Sequence, residues 1–149
     1  MGEKTQNTNL ASEYYVMSCL YRIGADAYLT LGNKKSVDII VKKSDVLLTI
    51  DVKGLKGSTN FHIGNLKDED KSEKHFIVFV SYTGKIKNTK HLPEMYIVPS
   101  NKLDFEHPEL DGKSLIYINP KESHKVVPLS KLRKLKEKYR DNWKPFEQS

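Results

Sequence analysis

The sequence is short of the residues and segments that define several protein classes. Its 149 residues include one cysteine, Cys19, which cannot form an intramolecular disulfide and is predicted to pack in a helix in a reducing compartment. The longest apolar runs, such as FIVFV at 76–80, are about a quarter of the length that a membrane span requires. The N-terminus has no apolar signal segment. We therefore expect a soluble, cytoplasmic protein that does not insert into membranes.

Two further kinds of site are also absent. The histidines His62, His75 and His91 do not have the spacing of zinc ligands, and a single cysteine argues against a structural zinc site. Gly54 and Gly57 enclose only the segment GLKG, which is typical of a turn and not of a phosphate-cradling loop. The chemistry must therefore be sought in carboxylates and lysines.

Length and charge set the general class. A chain of 149 residues suits one domain with one core, which we expect to span residues 1–149. The 25 Lys and Arg residues exceed the 19 Asp and Glu residues, which gives a formal charge of +6 and an isoelectric point near 9.2. This balance favours a polyanionic partner, although the same lysines could simply keep the surface soluble.

Helical periodicity is clearest near the two ends of the chain. A first helix is predicted from Leu10 to Ile23, with a cap at Asn9 and a stop at Gly24. One face of this helix is expected to pack on the core: Leu10, Tyr14, Met17, Leu20 and Tyr21. The tyrosines, with Tyr15, are expected to serve packing and not base stacking. A last helix is predicted from residue 129 to about 143, with Ser130 as its cap.

Strands are predicted between these helices, near 28–31, 37–42, 46–53, 60–63, 76–80, 95–98 and 115–118. The segment 75–82 is expected to be a buried central strand because both of its faces are apolar or aromatic. The charged run 66–75 is either a brief helix or a loop. This order indicates an α/β fold with a mixed sheet.

The most informative segment is Val37–Gly54, two apolar strands joined by a polar turn. With Ser44 and Asp45 as turn residues, Lys43 pairs with Val46, and counting outward places Asp38 opposite Asp51, with β-carbons roughly 5 Å apart. Alternation places one set of side chains on the polar face: Asp38, Lys42, Thr49, Asp51 and Lys53.

Two facing carboxylates repel each other unless a cation lies between them. Mg²⁺ or Mn²⁺ suits such a pair, because these ions take one or two carboxylates and leave other positions to water and phosphate oxygens. Lys53 leaves the same face two residues after Asp51, so its ammonium can reach the same bound water. Whether it would orient that water or accept its proton stays open.

Simpler interpretations exist for these residues. The hairpin could lie at a sheet edge with Asp and Lys facing water, where such pairs contribute little. Glu13 has two interpretations. In the functional one, it projects into the same helical stripe as Leu10, Met17 and Leu20, and a metal or a lysine compensates the cost of burying its carboxylate. Alternatively, Glu13 lies near the helix start and interacts favourably with the helix dipole.

Together, Glu13, the pair Val37-Asp38 and the tripeptide Asp51-Val52-Lys53 resemble the motif of the PD-(D/E)xK nuclease superfamily. This superfamily includes Holliday-junction resolvases, many restriction endonucleases and small bacterial proteins. The resemblance covers residues 9–100. The pair Asn142-Trp143, near the C-terminus, also resembles a pair found in small members of this superfamily. It implies a restriction-endonuclease-like αβββαβ core with a mixed central sheet flanked by helices.

The resemblance also implies an activity and a site. The expected enzyme is a Mg²⁺-dependent endonuclease that hydrolyses DNA phosphodiester bonds, with Mn²⁺ as a substitute. Asp38 and Asp51 would bind the metal with the Val52 carbonyl, Lys53 would be the catalytic lysine and Glu13 an accessory acid. Many such nucleases dimerise, so a homodimer is compatible with this family. Loop lysines expected to neutralise DNA phosphates are Lys34, Lys35, Lys56, Lys85, Lys87 and Lys90.

Two other functions remain open at this stage. The chain could be a catalytically inactive nucleic-acid-binding module of the same fold, or a protein-interaction module whose acidic hairpin face is incidental. The complete set of acids and lysine favours the enzyme over the inactive module. A DNA affinity that falls steeply with salt would favour a nucleic-acid function over the protein-interaction module.

Overall fold

A five-stranded mixed sheet lies between one long helix and a second layer of shorter elements. The computed structural model describes residues 3–31, 37–64, 71–103, 117–119 and 124–148. The helices are α1 (Glu3–Arg22), α2 (Leu129–Lys134) and α3 (Lys136–Tyr139), with 3₁₀ turns at Ser100–Lys102 and Lys144–Phe146. The strands are β1 (Asp26–Leu29), β2 (Ile39–Lys43), β3 (Val46–Leu55), β4 (Asn60–His62), β5 (His75–Ser81), β6 (Glu94–Pro99), β7 (Tyr117–Asn119) and β8 (His124–Pro128).

The larger sheet has the order β1-β2-β3-β5-β6. β3 and β5 are parallel, and the other neighbours are antiparallel. A smaller antiparallel sheet has the order β4-β8-β7. The predicted α/β class with a mixed sheet is therefore confirmed, and the long β3 lies at the centre of the larger sheet.

The β2–β3 hairpin has the predicted register. Lys43 pairs with Val46 across a two-residue turn, and Ser44 adopts φ 55°, as tight hairpin turns require. One set of alternating side chains is buried under α1: Ile39, Val41, Leu48, Ile50 and Val52. Because β3 is a central strand, the alternative of a wet edge hairpin is excluded.

Each face of the larger sheet covers its own apolar cluster. One cluster lies between the sheet and α1 and includes Val16, Leu20, Ile50 and Val78. The other includes Ile77 and Phe79 from the opposite face, with residues of β4, β8, α2 and α3. All residues of β5 are buried, which confirms the predicted central strand.

α1 differs from its prediction in length and in the face that it buries. It begins at residue 3, well before Leu10, and ends as expected before Gly24, whose φ is +80°. The face nearest the sheet holds Thr8, Ser12, Val16 and Leu20. Three residues predicted to pack are exposed instead: Leu10 (42%), Tyr14 (59%) and Tyr21 (62%).

A close approach between α1 and β3 explains this rotation. A β-carbon added at Gly54 would lie 2.5 Å from Ser12 Oγ and 3.1 Å from the Thr8 carbonyl oxygen. Ser12 Oγ in turn donates a hydrogen bond to that carbonyl at 2.7 Å and lies 3.3 Å from the Tyr82 hydroxyl. Small polar residues, and not the larger apolar ones, therefore form this helix–strand contact.

The C-terminal prediction was also partly wrong. The expected single helix is divided at Leu135, whose φ of −113° and ψ of 23° depart from helical values, into α2 and α3. Pro128 and not Ser130 is the N-cap, and it provides no side-chain hydrogen bond. Strand β8 was not predicted, and β7 begins two residues after the expected 115. Residues 66–70 of the 66–75 charged run lie outside the described residues, and the described residues 71–74 form no helix.

Candidate active site

The ladder between β2 and β3 becomes irregular at Asp38. Regular pairing ends at Ile39 with Ile50, yet the Asp38 N–H also donates to the Ile50 carbonyl at 2.8 Å. Two residues of one segment thus oppose a single residue of β3, which is the pattern of a β-bulge. Counting along the hairpin predicted that Asp38 pairs with Asp51. Because of the bulge, the two residues do not form a backbone pair. Its Oδ2 atom instead accepts a hydrogen bond from the Val52 N–H at 2.7 Å.

Asp51 is a buried acid on the central strand, only 3% exposed. Its Oδ2 atom lies 3.2 Å from Lys53 Nζ, an ion-pair distance. Within the described part of the chain, Asp51 Oδ2 has no hydrogen-bond partner. A buried carboxylate oxygen in this condition is costly unless a further group binds it.

The two aspartates interact, as the electrostatics of Asp38 indicate. Burial raises the pKa of Asp38 from its usual 3.8 to about 6, and the neighbouring Asp51 carboxyl also raises it. The Val52 hydrogen bond and the Lys53 charge act in the opposite direction. Asp38 thus resists ionisation because it is buried and lies beside the Asp51 carboxyl.

Glu13 lies close enough to this pair to be affected by it. Burial raises the pKa of Glu13, and the charge of Asp38 adds to the effect. The two side chains line one cleft of about 400 Å³, together with Asn9, Leu10 and Tyr14. Glu13 is also the eleventh residue of a helix that begins at Glu3. The helix dipole acts mainly on charges in the first turn, and Glu13 lies beyond that turn. The dipole explanation for Glu13 is therefore excluded.

The chemistry of these donors fits a divalent cation such as Mg²⁺. Asp51 Oδ2 is a carboxylate oxygen without a hydrogen-bond partner among the described residues, and the Asp38 carboxyl interacts with Asp51. The N–H and C=O of one residue in an antiparallel ladder point to the same neighbour, so the Val52 carbonyl faces the side on which its N–H meets Asp38. Among the described residues, no group of three or more His, Cys, Asp or Glu side chains forms a metal cage. Mg²⁺ does not require one, because it keeps several waters.

Four of the predicted phosphate-binding lysines are grouped near the C-terminal ends of β3 and β5. Lys56 directly follows β3, and its carbonyl accepts a hydrogen bond from the Gly84 N–H at 2.8 Å, which ties the 83–91 loop to this edge. Lys56, Lys85, Lys87 and Lys90 are all exposed. Lys34 and Lys35 lie outside the described residues.

A polar pair with no predicted role, Thr49 and His75, lies on the Asp51 face of the sheet. Thr49, two residues before Asp51, has its Oγ1 atom 2.6 Å from Nδ1 of the buried His75. The pairing of β3 with β5 places these two residues one step along the face from Asp51 and Ile77. The alternation Thr49-Asp51-Lys53 was the available signal, but the partner strand could not be aligned from sequence alone.

None of the described helices is long and apolar enough to cross a membrane.

The chain has a similar solved structure but matches no sequence family. No protein-family model matches it, and no curated protein matches its sequence. Among solved structures it is similar to a bacterial homing endonuclease, I-Ssp6803I, with a TM-score of 0.45 and 17% sequence identity over 68% of each chain. Any assignment of function must therefore rest on the site itself.

Proposed function

We propose that this protein is a metal-dependent endonuclease of the PD-(D/E)xK type that hydrolyses DNA phosphodiester bonds, with Mg²⁺ as cofactor and Mn²⁺ as substitute. One observation carries the proposal. A buried carboxylate oxygen of Asp51, without a hydrogen-bond partner in the described chain, lies 3.2 Å from the ammonium of Lys53, and the Asp51 carboxyl also interacts with that of Asp38. This is a set of groups that favours a divalent cation and a phosphate together.

Each residue has a distinct part in this proposal. Asp38, Asp51 and the Val52 carbonyl hold the cation, and the Val52 N–H fixes the orientation of the Asp38 carboxylate. The bound cation would lower the pKa of a water and neutralise phosphate oxygens. Lys53, beside Asp51, orients the attacking water and stabilises the charge that develops on the phosphate. Glu13 closes one side of the cleft and positions solvent around the cation.

The exposed lysines at the ends of β3 and β5 support a DNA substrate. Lys56 is three positions after Lys53, roughly 10 Å along an extended strand, so the basic loop is within one or two phosphates of the site. With a formal charge of +6, the chain attracts a polyanion. These contacts would position the backbone without reading base sequence.

The test is nicking of a supercoiled plasmid by the purified full chain. We expect nicking in Mg²⁺ or Mn²⁺ and none in EDTA. Asp51→Ala should abolish nicking with the fold intact and the free energy of unfolding unchanged or higher, because it relieves a like-charge contact. The matched control is Asp45→Ala, at an exposed acid in the hairpin turn, which should keep full activity.

Two results would contradict the proposal. One is the absence of metal-dependent nicking by the wild-type chain. The other is equal nicking by Asp51→Ala and Asp45→Ala, which would indicate a contaminating nuclease.

A further inference from the structure

α1 presents an aromatic face to solvent although the sequence predicted that this face would be buried. Leu10, Tyr14 and Tyr21 recur at helical spacing and remain 42%, 59% and 62% exposed. The helix packs on the sheet through other residues, because Ser12 approaches Gly54. Large exposed aromatic residues at one face are a usual sign of a binding surface.

This face is continuous with the candidate active site. Tyr14 lines the cleft of about 400 Å³ that contains Glu13 and Asp38. The same Tyr14 also lines a second, shallow cleft of about 420 Å³ whose far end is formed by Tyr21 and Arg22. A track therefore runs along α1 from the carboxylates to an exposed guanidinium.

The spacing of the two tyrosines suits successive stacked groups. Tyr14 and Tyr21 are seven residues apart, or two helical turns, so they lie on the same side of α1 about 10 Å apart. Tyrosine rings stack on any base, and an arginine can meet the phosphate or stack as well. Bases within a duplex are already stacked on each other, so only an unpaired strand offers such faces.

Charge favours nucleic acid over a second copy of this chain as the occupant. Each copy carries a formal charge of +6, so two copies of the chain repel each other. A nucleic-acid strand has the opposite charge and would reach the face directly from the carboxylates.

We propose that the face formed by Tyr14, Tyr21 and Arg22, the tyrosine track, binds the unpaired bases of a single-stranded segment next to the scissile phosphate. This inference rests on the proposed nuclease function and narrows its substrate to DNA with a single-stranded tail, flap or branch. Tyr14 stacks the unpaired base nearest the site, Tyr21 stacks a later one, and Arg22 contacts the backbone beyond.

Fluorescence anisotropy with labelled DNA in EDTA tests this inference without competing cleavage. The probes are a blunt 20-base-pair duplex and the same duplex with a tail of ten thymidines. Wild-type protein should bind the tailed probe more tightly. The double variant Tyr14→Ala/Tyr21→Ala should lose about tenfold or more of its affinity for the tailed probe and little for the blunt one.

Three controls keep the result specific. Tyr14→Phe/Tyr21→Phe preserves the rings and should bind like wild type. Tyr28→Ala removes an exposed tyrosine that lines neither cleft and should leave both affinities unchanged. Thermal melts check folding, and the single variants replace the double variant if it does not fold.

Three outcomes would overturn the inference. These are equal binding of the tailed probe by wild type and the double alanine variant, equal losses in the phenylalanine and alanine variants, or a wild-type dimer that the alanine variant converts to a monomer in light scattering. The last outcome would identify a second copy as the occupant. Failure of the nuclease proposal would appear separately, as a lack of plasmid nicking by wild-type protein.

Discussion

The Asp38 carboxylate accepts a hydrogen bond from the Val52 N–H at 2.7 Å, across the point where the β2–β3 ladder becomes irregular. Without the bulge, this N–H would pair with backbone. The bulge therefore replaces a ladder hydrogen bond with a hydrogen bond from the Val52 N–H to the Asp38 side chain. The backbone of β3 thus fixes the orientation of the Asp38 carboxylate.

Substitutions at Asp38 should separate its structural and chemical parts. Asp38→Asn keeps an oxygen that can accept from Val52, whereas Asp38→Ala leaves that N–H without its partner. We expect the alanine variant to be less stable than the asparagine variant by about 1 kcal/mol in urea denaturation. Both should lose metal-dependent nicking, because neither keeps the negative charge. Equal stabilities would show that the hydrogen bond contributes nothing.

The raised pKa of Asp38 predicts how stability depends on pH without metal. The pKa of Asp38 is about 6 when folded and near 3.8 in its usual state, so the folded protein favours the protonated form. Its contribution to stability is fully present below about pH 4, is lost as the pH rises toward 6, and changes little above about 7.

Urea denaturation in EDTA between pH 4 and pH 8 measures this effect. Relative to wild type, Asp38→Asn should gain stability as the pH rises through that window, and it should gain nothing further above pH 7. Parallel curves for the two proteins would contradict the assigned electrostatics.

Lys53→Ala should separate catalysis from metal binding. The ammonium contacts Asp51, and its proposed part is in the transition state, so its loss should lower the nicking rate about 10²- to 10³-fold. Binding of Mn²⁺ by calorimetry should persist. The matched control is Lys134→Ala, at an exposed lysine at the end of α2, which should retain wild-type nicking. Loss of metal binding together with activity would make Lys53 a structural residue.

Gly54→Ala tests the contact that sets the rotation of α1. The new methyl group would lie 2.5 Å from Ser12 Oγ, so the helix must shift, at a cost of about 1 to 3 kcal/mol in unfolding free energy. The double variant Gly54→Ala/Ser12→Gly lacks the Cβ and Oγ atoms of Ser12 that the new methyl group would meet. It should regain part of the lost unfolding free energy. The double-mutant cycle should give a coupling energy above about 0.5 kcal/mol, and additive effects would exclude the contact.

The sequence predicted the hairpin well because alternation and a two-residue turn leave one register that buries a single apolar face. It could not locate the bulge, because alternation does not show where a ladder ends. The helix face was misjudged for a related reason. The spacing of apolar residues predicted that Tyr14 and Tyr21 pack on the sheet. In the structure the small Ser12 contacts the sheet instead, because Gly54 leaves space for a close approach of the helix.

The pairing of β3 with β5 was also beyond sequence reasoning, since it joins strands separated by a long connection. That pairing makes β3 a central strand and buries Asp51. It therefore turns two ordinary strand aspartates into a candidate metal site. The helix break at Leu135 was not predicted, because the helical spacing of apolar residues continues through this position.

Anomalous diffraction from crystals soaked in Mn²⁺ tests the central claim most directly. We predict one strong peak between Asp38 and Asp51, about 2.1 Å from an oxygen of each carboxylate. No peak at this position in wild-type crystals, or the same peak in Asp51→Ala crystals, would contradict the account.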